Sequence, residues 1–307
     1  MEGERKMKEN LAIQTKGLIK RFNETVAVNG LDLEVQRGSL YGFLGLNGSG
    51  KSTTIKMLLN LVFPTSGAGK VLGYDIVADS MAIRQIVGYV PEERVIYGYM
   101  SVGEAIDFCR TTSNNWDMKI VGRYLELFEL SVGKKVKTMS RGMKNQLALV
   151  LALGSRPDLL ILDEPTSGLD PAKMRDFYKV ILEQVAETGQ TVFFSSHNLQ
   201  EVERLADTVG IIHKGKIVFN KTLDEIKTDL KKIRAVFKDG VPVETIKRMP
   251  SIVNVEVQGR ELIIECEKRF EPVIGSLKQL DPVDLEILDV RLEDIFMRCT
   301  GGEHSGS

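Results

Sequence analysis

The chain has 307 residues, is 43% hydrophobic and 27% charged, and carries a formal net charge of −1. That length suits one large domain plus a smaller one, and the near-neutral charge gives no electrostatic reason to expect a nucleic-acid partner. Cys109, Cys266 and Cys299 fit neither a disulfide framework nor a zinc site, and three histidines are too few for a His-rich metal centre.

The opening MEGERKMKEN is charged and has no apolar core, so it does not read as a signal peptide. No apolar run approaches the ~20 residues that cross a bilayer. Membrane work would need spanning segments from another polypeptide. Residues 11–44 read as strands separated by turns, with LDLEV (31–35) alternating in period two. RGSLYGFLG then leads into a Gly-rich loop. From Ser52 the pattern is helical through Val62, and FPTSGAG (63–69) breaks it. IVGYVPEE (86–93) reads as a strand ending at Pro91. Residues 102 to about 154 read as a helical insertion, with Val121, Leu125 and Phe128 on one helix face.

LLILDEP (159–165) and TVFFSSH (191–197) are short apolar runs of the kind buried on both faces of a parallel sheet. Between them, Asp170 and Pro171 form an N-cap and N1 pair ahead of a helix carrying Met174, Phe177, Ile181 and Val185. VGIIHKGKIVF (209–219) reads as a hairpin turning at Lys214-Gly215. Alternating strands and helices imply an α/β fold with a mainly parallel sheet. The chain changes character near Lys221. Residues 1–220 read as the large domain, 221–231 as a charged helical linker, 232–299 as a small α+β unit and 300–307 as a disordered tail. The small unit has the order strand 233–237, helix 243–249, strands 252–257 and 261–266, helix 272–280, strand 283–287. That βαββαβ order is ferredoxin-like. A closing helix spans 292–299.

GLNGSGKS (45–52) matches the phosphate-binding pattern G-x-x-x-x-G-K-[ST], between a predicted strand and a predicted helix. Gly45, Gly48 and Gly50 let backbone N–H groups curl around a polyphosphate. Lys51 adds positive charge, Ser52 offers a hydroxyl to Mg²⁺, and the helix start favours an anion. At the end of LLILD, Asp163 can hold Mg²⁺ through water, and Glu164 can act as a general base on water. MSRGMKNQLALVLALG (139–154) is a puzzle beside these. Ser140 suits an N-cap, yet Arg141 and Lys144 put cations in a first helical turn, where anions are favoured.

These motifs together resemble the nucleotide-binding subunits of ABC transporters, over about residues 11–220. GLNGSGKS stands as Walker A, LLILDEP as Walker B and SGLD (167–170) as the D-loop. His197 stands as the switch histidine, and MSRGMK occupies the place of the LSGGQ signature. Singly, Phe22 would suit a core, His197 a strand end and Ser140 a cap; their ordered co-occurrence carries the resemblance. It implies a P-loop NTPase fold of ABC type with a helical subdomain at about 95–155. The implied ATP contacts are Phe22 on adenine and Gly45, Leu46, Asn47, Gly48, Ser49, Gly50, Lys51, Ser52 and Thr53 on the phosphates. Ser52, Asp163 and Glu92 would serve Mg²⁺, and Glu164, His197 and Lys51 would serve hydrolysis.

The resemblance further implies a head-to-tail pair of subunits, self-paired or with a homologous ATPase. Ser140 and Gly142 would then reach the partner's γ-phosphate, and Asp170 would couple the two sites. The cation-bearing helix start thereby gains an anion on another chain. Two positions depart from the family pattern. Arg141 replaces the first signature Gly. Glu92 replaces the Gln that senses Mg²⁺ and the membrane subunit. LEDIF (292–296) resembles the end of ABC-2-type exporter ATPases. The expected partner is a separate membrane permease, received by a groove of the helical insertion and the Glu92 loop, at the cytoplasmic face of the membrane. The alternatives are a soluble ABC ATPase with a non-transport target and a nucleotide-gated clamp without turnover.

Overall fold

The computed structural model of the chain describes residues 10–93, 96–238, 246, 251–268 and 270–301. It divides into two compact units, the first ending at Asn220 and the second starting at Lys221.

The first unit is built on two sheets. A five-stranded antiparallel sheet orders β2 (Thr25–Leu31), β1 (Leu11–Phe22), β5 (Ser66–Val71) and β6 (Tyr74–Asp75), with β3 (Glu34–Gln36) pairing β1. The LDLEV alternation is kept: Leu31, Leu33 and Val35 are buried while Asp32 and Glu34 are exposed. β5 overturns the reading of FPTSGAG as a break throughout. Chain direction does break at Phe63-Pro64, but from Ser66 the chain re-enters the sheet against β1. Gly67 has φ +86, and a Cβ there would fall onto the backbone of Gly17. Glycine permits that close crossing and hides the strand from any hydrophobic pattern.

The second sheet orders β11 (Lys216–Thr222), β10 (Thr208–His213), β4 (Leu40–Leu44), β9 (Thr191–Ser196), β8 (Leu159–Asp163) and β7 (Val87–Val90). The pairs from β10 to β7 are parallel. β4, β8 and β9 are buried along their whole length, as expected of strands covered on both faces. Lys214 (φ 49) and Gly215 (φ 77) make the two-residue turn into β11. One core cluster joins the two sheets through α1 (Lys51–Leu58), whose Ile55, Met57 and Leu58 pack with Val28 and Leu31 on one side and Phe43 and Phe193 on the other. α1 stops four residues short of the predicted Val62, with Asn60 left-handed at φ 51 just beyond it.

α2 (Ser80–Ile86) leads into β7, and the insertion follows as α3 (Val102–Thr112), α4 (Met118–Leu127) and α5 (Arg141–Gly154). α3 is closed by a capping box between Ser101 and Glu104. α4 buries Val121 and Tyr124, and Phe128 is buried just beyond it; Leu125 is only partly covered, so its place on the inward face goes to Tyr124. Tyr124 is tied down by Gln184 Nε2, which donates to its hydroxyl at 2.7 Å. α6 (Pro171–Thr188) and α7 (Leu199–Leu205) complete the unit.

In the second unit the predicted linker is a capped helix, α8 (Leu223–Asp229), with Thr222 and Glu225 forming its capping box. β12 starts at once and runs Leu230–Val236, three residues earlier than expected. β13 (Ile252–Gln258), β14 (Glu261–Glu267), α9 (Glu271–Gln279), β15 (Asp284–Asp289) and α10 (Leu292–Thr300) follow. The all-antiparallel order β13-β14-β12-β15 is that of a ferredoxin-like sheet. Of the predicted helix 243–249 only Ile246 is among the described residues, and it is helical and buried in the core with Ile233, Ile264 and Val273. The predicted tail begins too early, since Thr300 is buried at the end of α10; residues 302–307 lie outside the described residues.

Candidate functional site

The C-terminal end of β4 delivers the Gly-rich loop. Its first residue, Gly45, donates its N–H to Ser196 O at 3.2 Å, which fastens the loop to β9. Two glycines are required by space. A Cβ on Gly45 would lie 2.6 Å from Ser49 Oγ and 2.7 Å from Ile212 O, and one on Gly50 would lie 2.5 Å from Ala27 O. Gly50, at φ 110, is also the N-cap of α1 and has no side chain to cap it. The first-turn N–H groups of α1 therefore meet no side-chain cap, as a helix-terminus anion site needs.

Lys51 is buried and reaches back across this loop. Its Nζ donates to Gly45 O at 2.7 Å and Leu46 O at 3.3 Å, and pairs with Glu164 Oε1 at 3.2 Å. Ser52 Oγ donates to Asp163 Oδ1 at 3.1 Å. Asp163, at the end of β8, also accepts from Ser195 Oγ at 2.6 Å, and the same Ser195 oxygen accepts from the Glu164 N–H at 3.0 Å. Glu164 has φ 47, a left-handed conformation that costs a non-glycine residue energy and is found at functional sites. It is held there from three sides: Ser195 at its N–H, Lys51 at Oε1, and His197 Nδ1 at 2.8 Å from Oε2. Glu164 is buried and His197 44% exposed at its side chain, so the imidazole stands at the mouth and the carboxylate behind it.

A cleft of about 440 Å³ opens over the loop. Phe22, Leu46, Asn47, Gly48, Gly50, Lys51, Ser52, Thr53, Glu92 and Glu164 all face it. Phe22 is 46% exposed, which removes the reading of it as core, and the Lys20 ammonium sits 4.8 Å from its ring centroid. Ser49 is turned inward, its buried Oγ without a hydrogen-bond partner. The donor set fits a polyphosphate with Mg²⁺: glycine backbone, one ammonium, and hard hydroxyl and carboxylate oxygens at Ser52 and Asp163. Among the described residues no group of three His, Cys, Asp or Glu could hold a metal.

Ser140, Gly142 and Asp170 do not line this cleft. They form a second cluster. Ser140 caps α5, accepting from the Met143 N–H at 3.2 Å, and Asp170 caps α6, accepting from the Lys173 N–H at 3.0 Å. That N–H, then the Lys173 ammonium, holds the Asp170 carboxyl below its ordinary range. Lys173 in turn packs beside Gly142, where a Cβ would meet its Cδ at 3.2 Å. Within the chain Arg141 is occupied by the turn after Glu164: its Nη2 donates to Ser167 Oγ at 3.0 Å, and it packs against Gly168. Asn145 Nδ2 donates to Pro165 O and Ser167 O in the same turn. The sequence reading did not single out Ser195 or Asn145. Two serines ending an otherwise apolar strand were a visible sign for the first; Asn145 shows none beyond a polar residue in an apolar helix.

A sequence profile for ABC transporters matches residues 28–167. The ABC transporter ATP-binding protein YcbN of Bacillus subtilis, itself uncharacterised, is 32% identical over 94% of this chain and 97% of its own length. This chain belongs to the ABC transporter family. It is an ATP-binding subunit of that family, an ATPase. The bacitracin transport ATP-binding protein BcrA of Bacillus licheniformis is 37% identical over 70% of this chain and 71% of its own. Among solved structures, the ATP-binding subunit of an ABC transporter aligns with a TM-score of 0.65 at 30% identity, covering 70% of this ABC ATPase and 92% of the other chain. That share is close to the extent of the first unit.

Proposed function

We propose that this ABC ATPase binds MgATP between two subunits, hydrolyses it with Glu164 as the general base, and so drives a separate export permease at the inner face of the cell membrane. The observation that carries the hydrolytic part is the Lys51–Glu164–His197 chain of contacts at the edge of the loop cleft. Phe22 offers its ring to adenine. Loop residues 45–53 bind and orient the phosphates, and Lys51 exchanges part of its pairing with Glu164 for phosphate oxygen. Ser52 and Asp163, with Glu92, would hold Mg²⁺, which would supply neutralisation of the phosphate charge. Glu164 takes the proton of the attacking water, and His197 holds the Glu164 carboxylate and contacts the γ-phosphate.

Ser140 and Gly142 sit away from the cleft of their own chain, which supports their serving the ATP of a second subunit, with Asp170 between the two sites. The affinity difference for nucleotide between open and closed pairs then biases the motion. No helix among the described residues is long and apolar enough to cross a membrane. A groove of about 270 Å³ between the Tyr89–Pro91 strand end and α3 exposes half of Tyr97 and Phe108, and it suits a permease's cytoplasmic helix. The expected cargo is a drug, peptide, lipid-like compound or ion, and bacitracin transport in BcrA supports the drug or peptide part of that range. The test is ATP turnover by the purified chain and by Glu164→Gln. The variant should lose about 10²- to 10⁴-fold in kcat; equal rates would remove Glu164 from its role.

A further inference from the structure

Among the described residues of the first unit, the hydrolytic residues leave Glu201 as a buried acid without a role. Glu201, in the first turn of α7, is 3% exposed. Its Oε1 accepts from Thr166 Oγ1 at 2.8 Å and its Oε2 from Ser196 Oγ at 2.6 Å. Thr166 stands two residues after Glu164, and Ser196 one residue before His197. Ser196 Oγ also accepts from the Asn198 N–H at 2.9 Å, so it closes a turn around His197. Burial pushes the Glu201 carboxyl above its ordinary range, and the two hydroxyl donors work against that rise. A buried acid with no cation among its hydrogen-bond partners is costly to keep, which asks for a reason beyond packing.

We infer that Glu201 is a positioning residue for hydrolysis: its carboxylate spans the gap between the turn after Glu164 and the residue before His197, locking the two catalytic side chains in register. The inference rests on the assignment of Glu164 and His197 above. Ser196 meets the Gly-rich loop through its backbone oxygen, which accepts from the Gly45 N–H, and not through the hydroxyl that meets Glu201, so ATP capture should depend on Glu201 far less than hydrolysis does. Span matters more than charge. A glutamine reaches as far, accepts one hydroxyl at its oxygen and donates to the other at its nitrogen. An aspartate is one methylene too short to meet both.

The experiment is steady-state ATP hydrolysis by the full chain carrying Glu201→Ala, Glu201→Asp, Glu201→Gln or Thr166→Val, with Glu164→Gln in parallel. Misplacing a catalytic group by about 1 Å lowers rate by up to about 100-fold. Glu201→Ala and Glu201→Asp should therefore lose about 10- to 100-fold in kcat with KM for ATP within about twofold. Glu201→Gln should stay within about fivefold of the parent kcat, and Thr166→Val should fall between. A purely structural role would lower melting temperature and raise KM alongside the fall in kcat, with no recovery in Glu201→Gln; that pattern overturns the inference. So does Glu201→Ala within twofold of the parent. If Glu201→Ala fails to fold, Thr166→Val decides: a loss confined to kcat supports the span, and an unchanged kcat removes it. An unchanged rate in Glu164→Gln would instead discard the assignment on which the inference depends.

Discussion

Replacing Ser195 with alanine deletes one oxygen at a fully buried position and breaks two hydrogen bonds together. Asp163 Oδ1 loses a donor at 2.6 Å and keeps Ser52 at 3.1 Å; the Glu164 N–H loses its acceptor at 3.0 Å. A hydrogen bond to a charged group contributes about 1.5–3 kcal/mol, and a buried N–H left unsatisfied costs about 1–3 kcal/mol. Relaxation of the strained Glu164 backbone recovers part of the sum, so a net loss of about 3 kcal/mol is expected. At about 2–4 °C per kcal/mol for a unit of this size, Tm should fall by about 6–12 °C. Calorimetry of the purified variant measures this, and ATP turnover should fall with it because the Glu164 tether is gone. A Tm within 1 °C of the parent, with turnover unchanged, would refute the claim that Ser195 holds both acids.

Phe22→Ala should raise KM for ATP about 3- to 10-fold with kcat little changed, since a stacked aromatic contact contributes about 0.5–1.5 kcal/mol; initial-rate kinetics across ATP concentrations check it, and an unchanged KM argues against adenine stacking. In the second unit, burial pushes the Cys266 thiol up to about 11. Its folded value lies above its unfolded one, so the contribution to stability is whole below about pH 9 and is lost as pH rises toward 11. Urea midpoints at pH 8 and pH 10 should show the fall, and Cys266→Ala should lack that component; the same thiol should alkylate slowly at pH 8.

Much of the candidate nucleotide site was legible because phosphate-loop chemistry needs particular residues at fixed spacing. The loop glycines at 45 and 50 answer to steric limits, and β8 and β9 are long enough apolar runs to place Asp163 and His197 at strand ends. The strand order of the second unit was legible because short β-rich runs are set apart by a Gly259 turn between β13 and β14 and by a helix-period segment, α9, between β14 and β15. β5 was hidden because its pairing is with a distant strand and its residues are small. Ser195 and Glu201 were hidden because a buried polar group is defined by its partners, and in sequence an acid in NLQEVERL reads as solvent-facing. Arg141 shows a similar limit. Its partner at Ser167 lies 26 residues away and explains locally part of what sequence reading assigned to another chain.

The central claim is that ATP is enclosed by loop residues 45–53 of one subunit and by Ser140 and Gly142 of the next. Sedimentation velocity of Glu164→Gln with saturating MgATP tests it most directly. The account predicts a dimer holding two nucleotides, which reverts to monomer when Gly142→Trp is added. A species that stays monomeric while ATP is bound, even with its permease present, would contradict it.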